Sequence, residues 1–400
     1  MTYRAVLRNR EFAALLLSQG LSVAGDQLAR IAVAVLVFDR TGSAFTASAT
    51  YAVSYLTYLV GGPWLSAISD RRPRLAVMVT ADLLRAPLVL VLCISGLPLW
   101  MLFVVLGLVG ALAPPFDSAR GALQPDLLKG DEYVLGNGII QIVSQLAQVL
   151  GFGLGGLLVS TTSARSALVM DAATFVLSAG ILLANLRTRP AAQEPGSRGS
   201  LGGDTLAGAR VVSGDPLLRR LLFFAVLGST AIIAPEGLAV PVAHALGHGA
   251  FAAGILTASI PLGFLTASTL LLRVPSDRRL TLLPWLTLLG CLPLLATPLT
   301  SSLVVVVALW VLAGAGGSVN IIASAAFMQT CPREYRSRAY GLAVTSLYAA
   351  QGTALLVAGA LTEPLGSRGS VAALAGLSLL TLASQSNRTI RTQGLSDVIR

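Results

Sequence analysis

The 400-residue sequence predicts an all-α membrane protein, twelve transmembrane helices arranged as two pseudo-symmetric six-helix bundles. Three observations carry that reading. Hydrophobic residues make up 54% of the chain and charged residues only 12%, with a mean hydropathy of +0.77, whereas soluble domains carry about 25% charged residues. Apolar runs of about 20 residues, enough to cross about 30 Å of hydrocarbon, recur twelve times. The longest polar interruption falls near the middle, with six runs before it and six after.

The first run, 12–38, follows the basic start MTYRAVLRNR as the core of a signal peptide would. It is too long for one, contains Asp26 and Arg30, and offers no A-x-A cleavage site, so it reads as a retained helix. Runs 44–69, 75–96, 98–124, 134–160 and 164–186 complete the first set. Residues 187–216, RTRPAAQEPGSRGSLGGDTLAGARVVSGDP, are rich in Gly, Pro, Ser and Arg and read as a linker. The second set is 217–243, 249–272, 280–298, 301–328, 335–361 and 369–386. The expected organisation is an N-terminal bundle at 1–186, a cytoplasmic linker at 187–216, a C-terminal bundle at 217–386 and a cytoplasmic tail at 387–400. Traces of duplication remain: Glu132, Tyr133, Ser144 and Ala147 recur as Glu334, Tyr335, Ser346 and Ala349, Gly25-Asp26 has a counterpart in Pro235-Glu236, and SDRR at 69–72 returns at 276–279. A duplicated unit of this kind places a substrate site between its halves near the membrane midplane.

The net charge of +10 is explained by topology rather than by nucleic acid, which is not an expected partner. Short cytoplasmic loops carry the excess of Lys and Arg. With the N-terminus inside, Arg40, Arg165 and Arg368 fall outside, Arg30 and Arg85 lie within helices, and every other basic residue falls on the cytoplasmic side. Both termini are therefore expected in the cytoplasm, in a multi-pass protein of a bacterial inner membrane. Cys93, Cys291 and Cys331 are far apart and suggest neither disulfides nor zinc. His244 and His248 have no third ligand nearby, so no metal is expected. The only lysine, Lys129, lies in LLKG, which rules out a Walker A phosphate loop and with it direct ATP hydrolysis by this chain. No cofactor is expected, and no nucleophile and base pair marks an enzyme.

Residues 65–74, LSAISDRRPR, pin three arginines and one aspartate between two apolar runs. The arginines hold such a loop at an anionic membrane surface, and the aspartate can pair with them or cap the next helix. The stretch resembles the loop between helices 2 and 3 of the major facilitator superfamily, G-x-x-x-D-R-x-G-R-R. Asp70, Arg71 and Arg74 match; Ser66, Pro73 and Leu75 depart from it. GDQLARIAVAVLVFDRTGSA, FDSARGALQPDLLKGDEY, MDAATFVLSAG and PEGLAVP are similar to the drug-exporter branch that holds macrolide-efflux and enterobactin-exporter-like proteins. The resemblance implies that the loop is a cytoplasmic latch and that the chain is a transporter with a small-molecule substrate. Gly151, Gly155 and Gly156, a smooth helix-packing surface, resemble the antiporter motif G-x-x-x-G-P-x-x-G-G, with Phe152 in place of its proline.

Ionisable groups at membrane depth cost about 2.5–3.5 kcal/mol each on the insertion scale, so each asks for a function or a partner. Asp26 and Arg30 are spaced as an internal pair, as are Asp82 and Arg85, and Asp117 and Arg120. Glu236 has no cation within one turn and Asp26 lies at related depth in the other half, so Glu236 first and Asp26 second are the expected proton-coupling residues. Asp171, about seven residues from its helix end, reads as a packing or gating contact near the outer surface. Gln141, Gln145 and Gln148 form a polar stripe that lines the cavity or bonds a neighbouring helix. Arg30, Asn320, Gln351, Tyr51, Tyr55 and Trp310 complete the cavity candidates, the aromatic ones being equally suited to ordinary packing. The leading expectation is proton-coupled export of a hydrophobic or amphipathic small molecule by a monomer in the lipid bilayer. Uptake or facilitated diffusion of a polar metabolite, or a non-transporting sensor, are the alternatives.

Overall fold

The computed structural model describes residues 6–189, 209–271, 273–332 and 335–396. Twelve spans follow in order: α1 (Arg10–Thr41), α2 (Ala44–Arg71), α3 (Arg74–Val91), α4 (Leu99–Leu127), α5 (Asp131–Thr161), α6 (Ala164–Asn185), α7 (Pro216–Ala245), α8 (Ala250–Leu271), α9 (Leu280–Leu299), α10 (Leu303–Thr330), α11 (Arg336–Ala360) and α12 (Thr362–Ser396). No strand occurs among the described residues. Side chains 60–71 lie outside the described residues, and with them Asp70 and Arg71 of the expected latch; so do linker residues 190–208 and the end of the tail, 397–400.

Local chemistry sets the helix ends. Asn9 caps α1 by accepting from the backbone N–H of Glu11 and Phe12, and Asp215 caps α7 in the same way through Leu217 and Leu218. Between α1 and α2 the turn is closed by Gly42, at φ 62°. The fourth span of each bundle is broken: α4 at Leu112, just before Pro114 and Pro115, which bring no N–H to the ladder, and α10 at Gly317 and Ser318. α12 starts earlier than the apolar run suggests. Glu363, Pro364 and Arg368 disguise its first turns, and the chain kinks at Gly366, where φ is 69°.

The packing repeats between the two bundles. α1 packs on α5 and α6 as α7 packs on α11 and α12; α2 packs on α4 as α8 packs on α10; α3 packs on α6 as α9 packs on α12. Among the described residues, ten of the spans are long and apolar enough to cross a membrane. α3 departs from them in carrying Arg74, Asp82 and Arg85, the last two buried inside the bundle. Large apolar side chains such as Leu84, Leu177 and Leu292 face outward, as a lipid-exposed surface requires, and Trp100 and Trp285 lie exposed near opposite ends, where indoles anchor at membrane interfaces. The chain is thus a multi-pass membrane protein.

The bundles meet through α2 against α11 and α5 against α8. The named close contacts gather toward the arginine-poor end. The Ser48 hydroxyl donates to the Leu355 carbonyl at 2.7 Å, Phe38 meets His244 edge to face at 5.4 Å, and Gly359 sits against Phe45 and Ser48. Gly151 and Gly155 press α5 onto α1 at Ala24 and Leu28, whereas Gly156 meets Gly254 of α8 so closely that a Cβ there would lie 2.8 Å from the Gly254 Cα. Near the other end Gln141 of α5 and Tyr340 of α11 are exposed. Overpacking of this kind costs about 1–3 kcal/mol. Gly156→Leu should therefore lower the thermal midpoint of the purified protein and make a cysteine placed at Ser48 reactive to an impermeant maleimide added from the arginine-poor side; unchanged reactivity would show that this seam does not hold that end shut.

Candidate functional site

A cavity of about 270 Å³ lies within the bundle pair. Its wall comes almost entirely from the first bundle: Asp26 and Arg30 of α1, Tyr51, Tyr55 and Tyr58 of α2, Arg85 of α3, Asp117 of α4, Gln148 of α5 and Asp171 of α6. Tyr348 of α11 closes it from the second bundle.

The second bundle also reaches this site through a charge. Glu236, on α7 directly after Pro235, receives Arg30 at 3.2 Å on one carboxylate oxygen and the Tyr55 hydroxyl at 3.1 Å on the other. The Arg30 guanidinium also lies 5.5 Å from the centre of the Tyr55 ring, within cation–π range. One arginine and one tyrosine of the first bundle thus hold one glutamate of the second. The expected pairing of Asp26 with Arg30 is replaced, because Arg30 points across the interface.

Asp26 instead faces Arg85 of α3 at 3.9 Å. Arg85 is buried, donates from Nε to the Val109 carbonyl at 3.3 Å and lies 5.2 Å from the Phe175 ring centre. The expected Asp82–Arg85 pair does not form among the described residues. Asp82 is fully buried and accepts the Ser178 hydroxyl at 2.5 Å, with the Ser18 hydroxyl 2.6 Å beyond. Three residues apart on one helix, the two side chains take different polar partners, Asp26 of α1 and the Val109 carbonyl of α4 for Arg85 and Ser178 of α6 for Asp82. Asp117 and Arg120 do pair, at 3.1 Å, and the Tyr58 hydroxyl donates to Asp117 at 2.9 Å. Tyr58 in turn stacks on Tyr348 with ring centres 4.3 Å apart, an aromatic contact from one bundle to the other.

Other predicted residues scatter. Gln148 is on the wall and donates to Gln145 at 3.4 Å, while Gln141 is exposed nearer the arginine-rich end. Asn320 bonds Ser229 at 2.9 Å and borders a smaller apolar pocket between α7, α10 and α11. Gln351 is half-buried and does not wall this cavity. Trp310 is fully buried in the shared core, its indole donating to Thr297 at 3.3 Å, so packing accounts for it and it is not a cavity residue. Arg74 of the expected latch pairs with Asp126 at the end of α4.

Sequence reasoning set Asp171 near the outer surface. It walls the cavity, because α1 passes so near α6 at Gly25 that a Cβ there would overlap Asp171 and Thr174. Depth counted along one helix cannot show which neighbour lies beside it; the glycine preceding Asp26 is the only signal in the sequence. Tyr348 carried no signal of its own, being one of two tyrosines in an alanine-rich helix. The acids around the site, Asp26, Asp82, Asp117, Asp171 and Glu236, outnumber Arg30, Arg85 and Arg120.

A family model described as Major Facilitator Superfamily matches residues 15–283. Macrolide efflux protein A of Streptococcus pyogenes is 26% identical over 158 residues, 38% of this chain and 39% of that protein. The multidrug efflux pump Tap of Mycolicibacterium fortuitum is 25% identical over 367 residues, 88% of this chain and 89% of that protein. With several curated relatives the chain aligns over only 39–45% of their length. The solved structure of a point mutant of the nucleoside transporter NupG superposes with a TM-score of 0.73 at 14% identity, covering 92% of this chain and 97% of that one, a likeness of fold.

The cross-bundle pair is tested by a double-mutant cycle. Removing one partner of a buried ion pair strands the other, whereas removing both does not. Arg30→Leu and Glu236→Leu should each lower the thermal midpoint more than the Arg30→Leu/Glu236→Leu double; additive losses would show that the two groups do not stabilise one another.

Proposed function

Because the chain belongs to the major facilitator superfamily, we propose that this transporter is a secondary active exporter, exchanging protons for a hydrophobic or amphipathic small molecule across a bacterial inner membrane. The observation that carries the reading is the Arg30–Glu236–Tyr55 cluster, which joins the two bundles beside the central cavity. Cargo held there touches the very groups that hold the halves together. Protonation of Glu236 removes the charge that retains Arg30, and the bundles are then free to part. Asp26 does the same for Arg85 inside the first bundle. A proton taken up or given back by either carboxylate thereby changes which helices are tied, the differential contact that any ligand-driven switch needs.

Export as the direction draws support from the efflux relatives, one of them aligned over 89% of its length. The positive-inside rule makes the arginine-rich end cytoplasmic, with both termini inside. The contacts of Ser48, Phe38, Gly156 and Gly359 then close the outer face and leave the cargo site to be loaded from within. On the cytoplasmic face the 69–74 loop acts as a latch, Arg74 holding Asp126 at the far end of α4. With both repeats in one chain, the protein works as a monomer.

The test is reconstitution into liposomes with a trapped pH dye and a panel of lipophilic cations and antibiotics. Cargo-dependent proton flux is expected from the wild type, reduced at least tenfold by Glu236→Gln and by Asp26→Asn. Wild-type flux in both variants would remove these carboxylates from the coupling step. Cargo binding without proton flux from the wild type would overturn proton exchange itself.

A further inference from the structure

Several buried polar atoms on the cavity wall have no hydrogen-bond partner, and those that can only accept point to one chemistry. Asp171 is 1% exposed; its Oδ2 has no partner and its Oδ1 receives only a long contact, 3.5 Å, from a Thr174 hydroxyl already engaged with the Asp171 carbonyl at 2.8 Å. The amide oxygens of Gln19 and Gln27, on α1, are also buried and unpartnered, and both residues wall the same cavity. The other carboxylates at the wall are occupied: Asp26 by Arg85, Asp117 by Arg120 and Tyr58. Asp82 gives one oxygen to Ser178 and lies off the wall. Among the described residues, neighbouring helices offer Asp171 no free cation. α1 presents Asp26 and α3 presents Asp82 and Arg85, whose guanidinium is already spread over Asp26, the Val109 carbonyl and the Phe175 ring. Nor can the carboxylate retreat toward α1, since the Gly25 backbone is pressed against it.

A buried carboxylate and two buried amide oxygens without donors are costly unless something that donates fills the gap. We propose that the cavity is a receptor for a protonated amine, with Asp171 as its charge partner and the Gln19 and Gln27 amide oxygens accepting its N–H groups. An ammonium supplies both the missing charge and the missing donors, whereas a quaternary nitrogen supplies the charge alone. The inference rests on the export reading only in taking this cavity as the cargo site.

The experiment is equilibrium binding to the full chain in nanodiscs, with no proton gradient, using octylammonium and octyltrimethylammonium as probes and protein-free nanodiscs subtracted. The wild type should bind octylammonium at least tenfold more tightly than octyltrimethylammonium. Asp171→Asn should weaken octylammonium at least tenfold and erase the preference, Asp171→Glu should keep it, and Gln27→Leu should narrow it. Equal affinity of the wild type for the two probes overturns the proposal, as does no binding of octylammonium or an Asp171→Asn variant with undiminished preference. Should Asp171→Asn not fold, the wild-type preference and Gln27→Leu decide. A protein that binds the ammonium selectively yet moves no protons in liposomes keeps this inference and loses the exchange mechanism.

Discussion

The constraint that shapes this protein is the cost of ionised groups away from water. The chain accepts that cost repeatedly around a single cavity and offsets it by pairing across helices rather than along them. Arg30 reaches Glu236 in the other bundle and Arg85 reaches Asp26 on another helix. Each pair fixes a distance between two helices as well as neutralising two charges. The helix arrangement and the polar site are therefore one feature seen twice: the Arg30–Glu236 pair joins the two bundles, and the Asp26–Arg85 pair joins two helices of the first.

What lets the bundles sit so close is the absence of side chains elsewhere. Hydrocarbon gives helices no apolar reason to associate, so contact area and close approach must do the work. Gly156 against Gly254 brings two backbones together between the bundles, and Gly151 and Gly155 do so within the first. The two kinds of contact divide the labour by position. Close-packed small residues and the Ser48 hydrogen bond gather toward the arginine-poor end, while the charged pairs surround the cavity.

The fold was legible because hydropathy and charge asymmetry are read one residue at a time. Helix ends in the first bundle fall within a few residues of expectation, and the large errors are at the two ends of α12: its start, where Glu363, Pro364 and Arg368 look like a loop but are helical around a kink at Gly366, and its end, where the helix runs on through the polar residues past 386 to Ser396. The site was legible only in part. Asp26, Arg30, Tyr51, Tyr55, Arg85 and Asp117 could be named because polar residues stand out against an apolar background, and all of them reach the cavity wall. Their partners could not be named: spacing of three or four suggested Asp26 with Arg30 and Asp82 with Arg85, yet a long arginine side chain chooses among neighbours in space. Trp310 failed for a related reason, since an indole in a helix looks the same whether it faces a cavity or Thr297.

The volume of the cavity has its own consequence. At about 270 Å³ it is smaller than the 300–1,000 Å³ of sites that enclose drug-sized ligands. Tyr58 and Tyr348, stacked at 4.3 Å, are part of its wall, and a guest larger than the cavity has to displace wall side chains of this kind. The free energy of moving those side chains is subtracted from the affinity of a large guest and not from that of a small one, so size is weighed at this wall together with charge.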